Sequence, residues 1–158
     1  MNAAIVCVGK LREKYYAAAA EEYGKRISRF GKLDVIELPD LPEPANASPA
    51  DQRKVMEKEG ESILSRIRPG DHVIALCIDA PQYDSVAFAA HLAENEMRGS
   101  RQVFVIGGSL GLSPAVITRA DEKISLSRMT LPHQLARVVL LEQLYRACKI
   151  NAGEKYHK

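Results

Sequence analysis

Long apolar runs are missing from this 158-residue sequence. The longest candidate, Val103 to Thr118, is interrupted by three glycines and a proline, too broken for a spanning helix. The opening residues MNAAIVCVGK lack the basic start and small-residue cleavage site of a secretory leader and read instead as a short strand. Cysteine is scarce. Cys7, Cys77 and Cys148 are odd in number, far apart, and each lies in an apolar segment. They predict buried reduced thiols rather than a disulfide framework, and with the missing leader they predict a cytoplasmic protein. There is no His-x-x-x-His pair, no Cys/His cluster and no Gly-x-Ser-x-Gly elbow, so neither a metal site nor serine-nucleophile chemistry is expected.

What is present is a globular composition, 46% hydrophobic and 27% charged, at a length that predicts one domain over residues 1–158. The net charge of +2 is unevenly spread. Residues 123–158 hold seven Lys/Arg and two acids, net +5, whereas residues 1–122 are net −3. A basic C-terminal quarter on an acidic body suits a polyanion partner, or a solvated helix face with a charged tail.

Short apolar runs at Ala3–Val8, Leu33–Leu38, His72–Ile78, Gln102–Ile106 and Lys123–Leu126 predict strands buried on both faces. Helices are predicted between them, at about Lys14–Phe30, Pro49–Ile67, Ser85–Arg98, a short one after Ser113-Pro114, and Pro132–Asn151. Ser48-Pro49 and Ser113-Pro114 are helix starts, a cap followed by an N1 proline, and Gly99 is a stop. The alternation predicts an α/β fold with a mostly parallel sheet flanked by helices. The Pro-rich stretch 39–48 reads as a connection too short to divide domains.

Four segments are candidate sites. In the first, the apolar run 103–106 ends in Gly107, Gly108 and Gly111, where a parallel sheet would place its ligand. The spacing is neither Gly-x-Gly-x-x-Gly nor a P-loop, so a ligand-approach loop and a tight turn both remain open. In the second, Leu126-Ser-Arg-Met-Thr-Leu-Pro-His133 could offer backbone hydrogen bonds within an apolar wall, as an adenosine-like ligand requires, or be an ordinary strand-to-helix connection. The third is the last predicted helix, apolar on more than one face, with a Glu142–Arg146 pair and with His133 and Arg137 one turn apart, placed to meet phosphate or a base edge. The fourth is the tail Gly153–Lys158, either a frayed basic end or a stacking-and-phosphate element. His72 and His91 read as structural or exposed, and Asp79 as a turn residue.

The segments FVIGGSLGLSP, SLSRMTLPHQLARVVLLEQLYRACKI and the terminal YHK, with VGKLREKYY and KEGESIL upstream, strongly resemble the RlmH family. That is the family of 23S rRNA pseudouridine-N3 methyltransferases within the SPOUT superfamily. The resemblance covers essentially the whole chain. It implies a C-terminal trefoil knot over about residues 70–158, which no composition rule proposes. It also implies S-adenosyl-L-methionine as cofactor and a homodimer with the site at the subunit interface. The implied substrate is a pseudouridine in helix 69 of 23S rRNA in the assembled ribosome, with no membrane and no metal involved. Carried over by position, the cofactor site comprises Leu76, Gly107, Leu126, Ser127, Arg128, Met129, Thr130 and Leu131, with Gly108 and Gly111 shaping the loop. His133, Arg137, Tyr156 and His157 match the polar residues near methyl transfer, and Arg128, Arg137 and Lys158 are the implied RNA contacts. A dinucleotide oxidoreductase has only the glycine loop in its favour. A non-enzymatic RNA binder would share the basic quarter but not need the glycines.

Overall fold

The computed structural model describes residues 1–158. In chain order it contains β1 (Asn2–Val8), α1 (Lys14–Ile27), β2 (Lys32–Leu38), α2 (Pro49–Leu64), β3 (His72–Leu76), α3 (Ser85–Met97), β4 (Gln102–Ile106), α4 (Pro114–Arg119), β5 (Glu122–Ile124) and α5 (His133–Asn151). The strands form one sheet in the order β2-β1-β4-β3-β5, and every neighbouring pair is parallel.

Alternation along the strands explains why the central runs are continuously apolar. On β1, Ala3, Ile5 and Cys7 join Ile74, Phe104 and Ile106 on one face of the sheet. There they pack against Ile27 of α1, Phe88 and Leu92 of α3, and Leu140, Leu141 and Leu144 of α5. Ala4, Val6 and Val8 point the other way with Val73, Val103 and Val105, onto Ile63 of α2 and Val116 of α4. A strand covered on both sides has no solvent face to mark with polar residues. No helix is long and apolar enough to cross a membrane.

The caps behave as the sequence predicts. The Ser48 hydroxyl accepts from the Asp51 N–H while the Asp51 carboxylate accepts from the Ser48 N–H, a reciprocal capping box with Pro49 in the first turn. At α4 the Ser113 hydroxyl accepts from the Val116 N–H, a one-way cap, and Gly99 follows α3 at φ +80°. Some ends differ from expectation. The third and fifth strands stop at Leu76 and Ile124, because Cys77 and Ser125 turn out of the ladder, each still donating one backbone hydrogen bond, to Ile124 and Pro81 respectively.

Since all strands run the same way, their carboxyl ends share one edge. The connections 9–13, 39–48, 77–84, 107–113 and 125–132 collect there. The opposite edge is tied by ion pairs. Arg101 makes a bidentate pair with Asp71, Nε to Oδ1 at 3.0 Å and Nη2 to Oδ2 at 2.6 Å. Glu122 accepts from or bonds to both His72 and His91, at 2.8 and 2.7 Å.

Candidate functional site

One cavity of about 550 Å³ opens at the carboxyl edge. Its lining comes from the ends of β3 and β4, the loops that follow them, the β5–α5 loop and the first turn of α5. Leu76, Gly107, Gly108, Gly111, Leu126, Ser127, Met129, Thr130 and Leu131 all line it, and so does His133.

The glycine loop has a steric reason at each position. A Cβ on Gly107 would lie 2.7 Å from both the carbonyl carbon and oxygen of Gly111. A Cβ on Gly108 would lie 3.1 Å from the Glu59 carboxylate and 3.2 Å from Val8. Gly111 adopts φ +83°, the left-handed region, and donates its N–H to the Gly108 carbonyl at 3.1 Å. The turn is therefore tight, and its bare backbone also forms a wall of the cavity. The tight-turn reading of the sequence therefore holds.

The β5–α5 loop is held by few bonds of its own. The Ser125 hydroxyl donates to the Ser127 carbonyl at 2.9 Å, and the Met129 N–H donates to the Ser127 hydroxyl at 3.0 Å. The backbone N–H groups of Leu126, Ser127, Thr130 and Leu131 donate to nothing within the chain. Unspent backbone donors beside apolar side chains suit a flat heteroaromatic ligand with polar edges.

The other expected residues divide. Arg128 belongs to the same loop but points away, exposed, and is not in the lining. Arg137 is 1% exposed, so it is not a surface phosphate contact in this chain. Its Nη2 donates to the Gly9 carbonyl at 2.7 Å, its Nη1 lies 3.5 Å from a Glu37 carboxylate oxygen, and Nε and Nη1 have no hydrogen-bond partner. One helical turn on from His133 points inward here, because α5 packs that face on the sheet.

Tyr156 and His157 do not reach the cavity within their own chain. The tail folds back on the middle of α5 rather than fraying. The Tyr156 hydroxyl donates to Glu142 at 3.2 Å, its ring meets Tyr145 edge-on at 4.8 Å, and Arg146 lies 4.7 Å over it. Glu154 pairs with Lys149 and Arg29. Burial, then the Glu142 charge, push the Tyr156 phenol up to about 12, so it stays neutral at working pH. His157 is exposed, its Nδ1 3.5 Å from Arg146, and Lys158 is exposed beside it. The helical pair Glu142–Arg146, 2.5 Å apart, is the tail's anchor, a role that its i,i+4 spacing did not signal.

Sequence reasoning missed Cys77, Ile78, Leu112 and Ala136, which with Ile106, Ser109 and Pro132 of the candidate segments complete the lining. It also missed the β1–α1 loop. The His133 ring lies over Gly9, with Nε2 3.4 Å from where a Cβ would be, Gln134 Oε1 accepts the Arg12 N–H at 2.9 Å, and Arg137 holds the Gly9 carbonyl. Only Gly9, at φ +87°, marked that loop locally.

Fold and cavity define a parallel α/β protein with a cavity walled by glycine and loop backbone at the carboxyl edge of its sheet. A family model described as "Predicted SPOUT methyltransferase" matches residues 1–157, and the chain belongs to that family. Over 159 aligned residues, and all of both chains, it is 54% identical to a protein of Bifidobacterium animalis subsp. lactis and 50% identical to one of Clostridium novyi. Both carry the name ribosomal RNA large subunit methyltransferase H. Among solved structures, a probable methylase family protein from Haemophilus influenzae superposes with TM-score 0.56 at 12% identity, over 99% of this chain and 70% of that one. A probable methyltransferase from Bordetella pertussis gives 0.54 at 14%, over 93% and 94%. At such identity these two support the fold alone.

Proposed function

We propose that this protein transfers the methyl group of S-adenosyl-L-methionine to N3 of a pseudouridine in helix 69 of 23S rRNA. It acts in the cytoplasm, on the assembled ribosome, as a homodimer. The observation that carries the proposal is the single cavity on which the glycine loop, Leu76 and the 126–131 loop converge. The lining fits the cofactor: the missing Cβ of Gly107 lets the loop close tightly on Gly111 as a bare backbone wall, the loop N–H groups are unspent, and the walls are apolar.

When bound, the cofactor supplies an electrophilic methyl carbon together with its own leaving group. The chain's residues then have two tasks, to orient the base and to deal with its N3 proton. Imidazole is the side chain that exchanges a proton near neutrality. His133, the histidine in the lining, is the candidate acceptor from this chain. Arg137 acts behind it as a positioning residue through Gly9. Two features support the homodimer. Ile78, Tyr83, Val86 and Met129 are large, apolar and exposed close to the cavity or on the elements leading from it. The tail residues Tyr156, His157 and Lys158 stand away from their own chain's cavity, so a second copy would supply that tail.

Calorimetric titration with S-adenosyl-L-methionine, with NADH as control, tests the cofactor. Transfer of a labelled methyl group to ribosomes from a strain lacking the enzyme tests the acceptor. Saturable binding of S-adenosyl-L-methionine alone and label confined to 23S rRNA are expected. Binding of NADH, or label on no RNA, would overturn the proposal.

A further inference from the structure

The first turn of α5 spends three successive inward contacts on one short loop that lies more than 120 residues earlier in the chain. His133 covers Gly9, Gln134 accepts from Arg12, and Arg137 donates to Gly9. Gly9 also donates its N–H to Leu38 at 2.8 Å. The β1–α1 loop is thereby fixed next to the histidine that lines the cavity. Its outward side is cationic. Lys10, Arg12 and Lys14 are exposed, Arg12 at 76% of its side chain, against one exposed acid of the loop, Glu13, and a distant approach of Asp40 to Arg12 at 3.8 Å. Tyr15, 64% exposed, continues the same surface, and its ring meets Tyr16 edge-on at 4.5 Å. On the other flank of His133 stands the exposed Arg128.

We infer that the segment Gly9–Tyr15, the β1–α1 loop with the first two residues of α1, is a second nucleic-acid docking rim, which grips the sugar–phosphate backbone of the RNA strand entering the cavity. This rests on the methyl-transfer reading for the identity of the RNA. Its own warrant is the geometry. A charged loop with no catalytic task does not need its backbone locked, but a phosphate clamp does, because each contact fixes the register of the base presented to the site. Three cations flanking an exposed aromatic ring are the residue types that hold an unpaired strand. The acidic average of residues 1–122 hides this rim from any composition count.

The test is equilibrium binding of the full-length protein to ribosomes lacking the modification, measured against salt concentration. The variant is Lys10→Ala, Arg12→Ala and Lys14→Ala combined. The control combines Arg66→Ala, Arg68→Ala and Arg98→Ala, exposed residues toward the opposite edge. Each lost phosphate contact lowers the slope of log K against log salt by roughly 0.7–0.9. The rim variant should lose about two to three in slope and at least tenfold in affinity, with S-adenosyl-L-methionine affinity unchanged, and the control should lose neither. An unchanged slope in the rim variant, an equal loss in the control, or no ribosome binding by the wild type would overturn the inference. Loop-dependent ribosome binding by a protein that transfers no methyl group would sink the methyl-transfer reading and leave the rim standing.

Discussion

The Arg137 guanidinium donates to the Gly9 carbonyl oxygen at 2.7 Å across 128 positions of chain. It is the largest of the fully buried side chains, and two of its nitrogens lack hydrogen-bond partners. Such a group is retained for what it holds rather than for stability, because buried charges with incomplete partners gain little over an apolar side chain of similar volume.

The first prediction follows from that pair. Arg137→Met should leave the unfolding free energy within about 2 kcal/mol of wild type, since lost desolvation cost offsets the orphaned Gly9 carbonyl. Ribosome methylation should fall at least tenfold in kcat/KM, and amide exchange of residues 9–12 should quicken. Chemical denaturation and hydrogen exchange read these separately. A loss of stability well beyond that figure, with unchanged exchange in the loop, would make Arg137 a core residue and nothing more.

Gly107 and Gly111 should respond differently to one methyl group. Gly107→Ala drives a Cβ into the backbone of Gly111, so the loop must move and S-adenosyl-L-methionine affinity should drop at least tenfold with the fold intact. Gly111→Ala meets open space and carries only the left-handed conformational penalty, about 1–2 kcal/mol. Calorimetry on both variants checks the ranking, and equal affinities would refute it.

The three thiols should label in a fixed order. Burial pushes Cys7 and Cys148 up to about 11, so neither holds appreciable thiolate at neutral pH. Cys77 is also raised by burial, with Lys123 opposing, but it lines the cavity. Alkylation should be slow at pH 7, accelerate as pH rises, and reach Cys77 first. Saturating S-adenosyl-L-methionine should slow it at least fivefold. Peptide mapping that finds Cys77 unprotected would place the cofactor elsewhere.

Acid should act through Asp71. Burial raises its pKa, but hydrogen bonds from Arg101 and the Arg68 N–H, and the Arg101 charge, outweigh that and hold it below the usual carboxylate range. A carboxyl depressed on folding contributes stability that is complete above its unfolded pKa and is lost as pH falls through that range toward the folded value. Arg101→Ala should therefore cost about 3–5 kcal/mol near neutrality, by leaving the carboxylate buried and alone. The deficit should begin to shrink as pH falls through the unfolded carboxylate range, and vanish only below the depressed folded value, where Asp71 is protonated in both states. A deficit independent of pH would assign the loss to packing.

Much of this molecule was legible in its residues. Ser48-Pro49 and Ser113-Pro114 announced two helices through chemistry local to each cap, and the apolar runs of β1 and β4 announced strands covered on both faces. The cavity's glycine loop and the 126–131 loop were legible because each is one contiguous segment. Arg137 was not, because whether a residue one turn from His133 faces water or the sheet depends on how α5 is rotated against partners far away in sequence. The same reason hid the Gly9–Arg12 loop. Its neighbours His133 and Gln134 are near only once the chain has folded. The tail failed in the opposite sense. Its composition suggests fraying, yet Tyr156 finds Tyr145, Glu142 and Arg146 arranged for it on one helix face.

The clasp of α5 on the β1–α1 loop also sets when this protein becomes competent. The residues that fix Gly9 and Arg12 lie at 133, 134 and 137, a stretch synthesised more than 120 residues after the loop. While that stretch is still inside the exit tunnel, the loop has no clasp and the cavity lacks one wall. A chain truncated before residue 133 should therefore lack both the clasp on Gly9 and Arg12 and the part of the cavity wall that His133 and Ala136 supply.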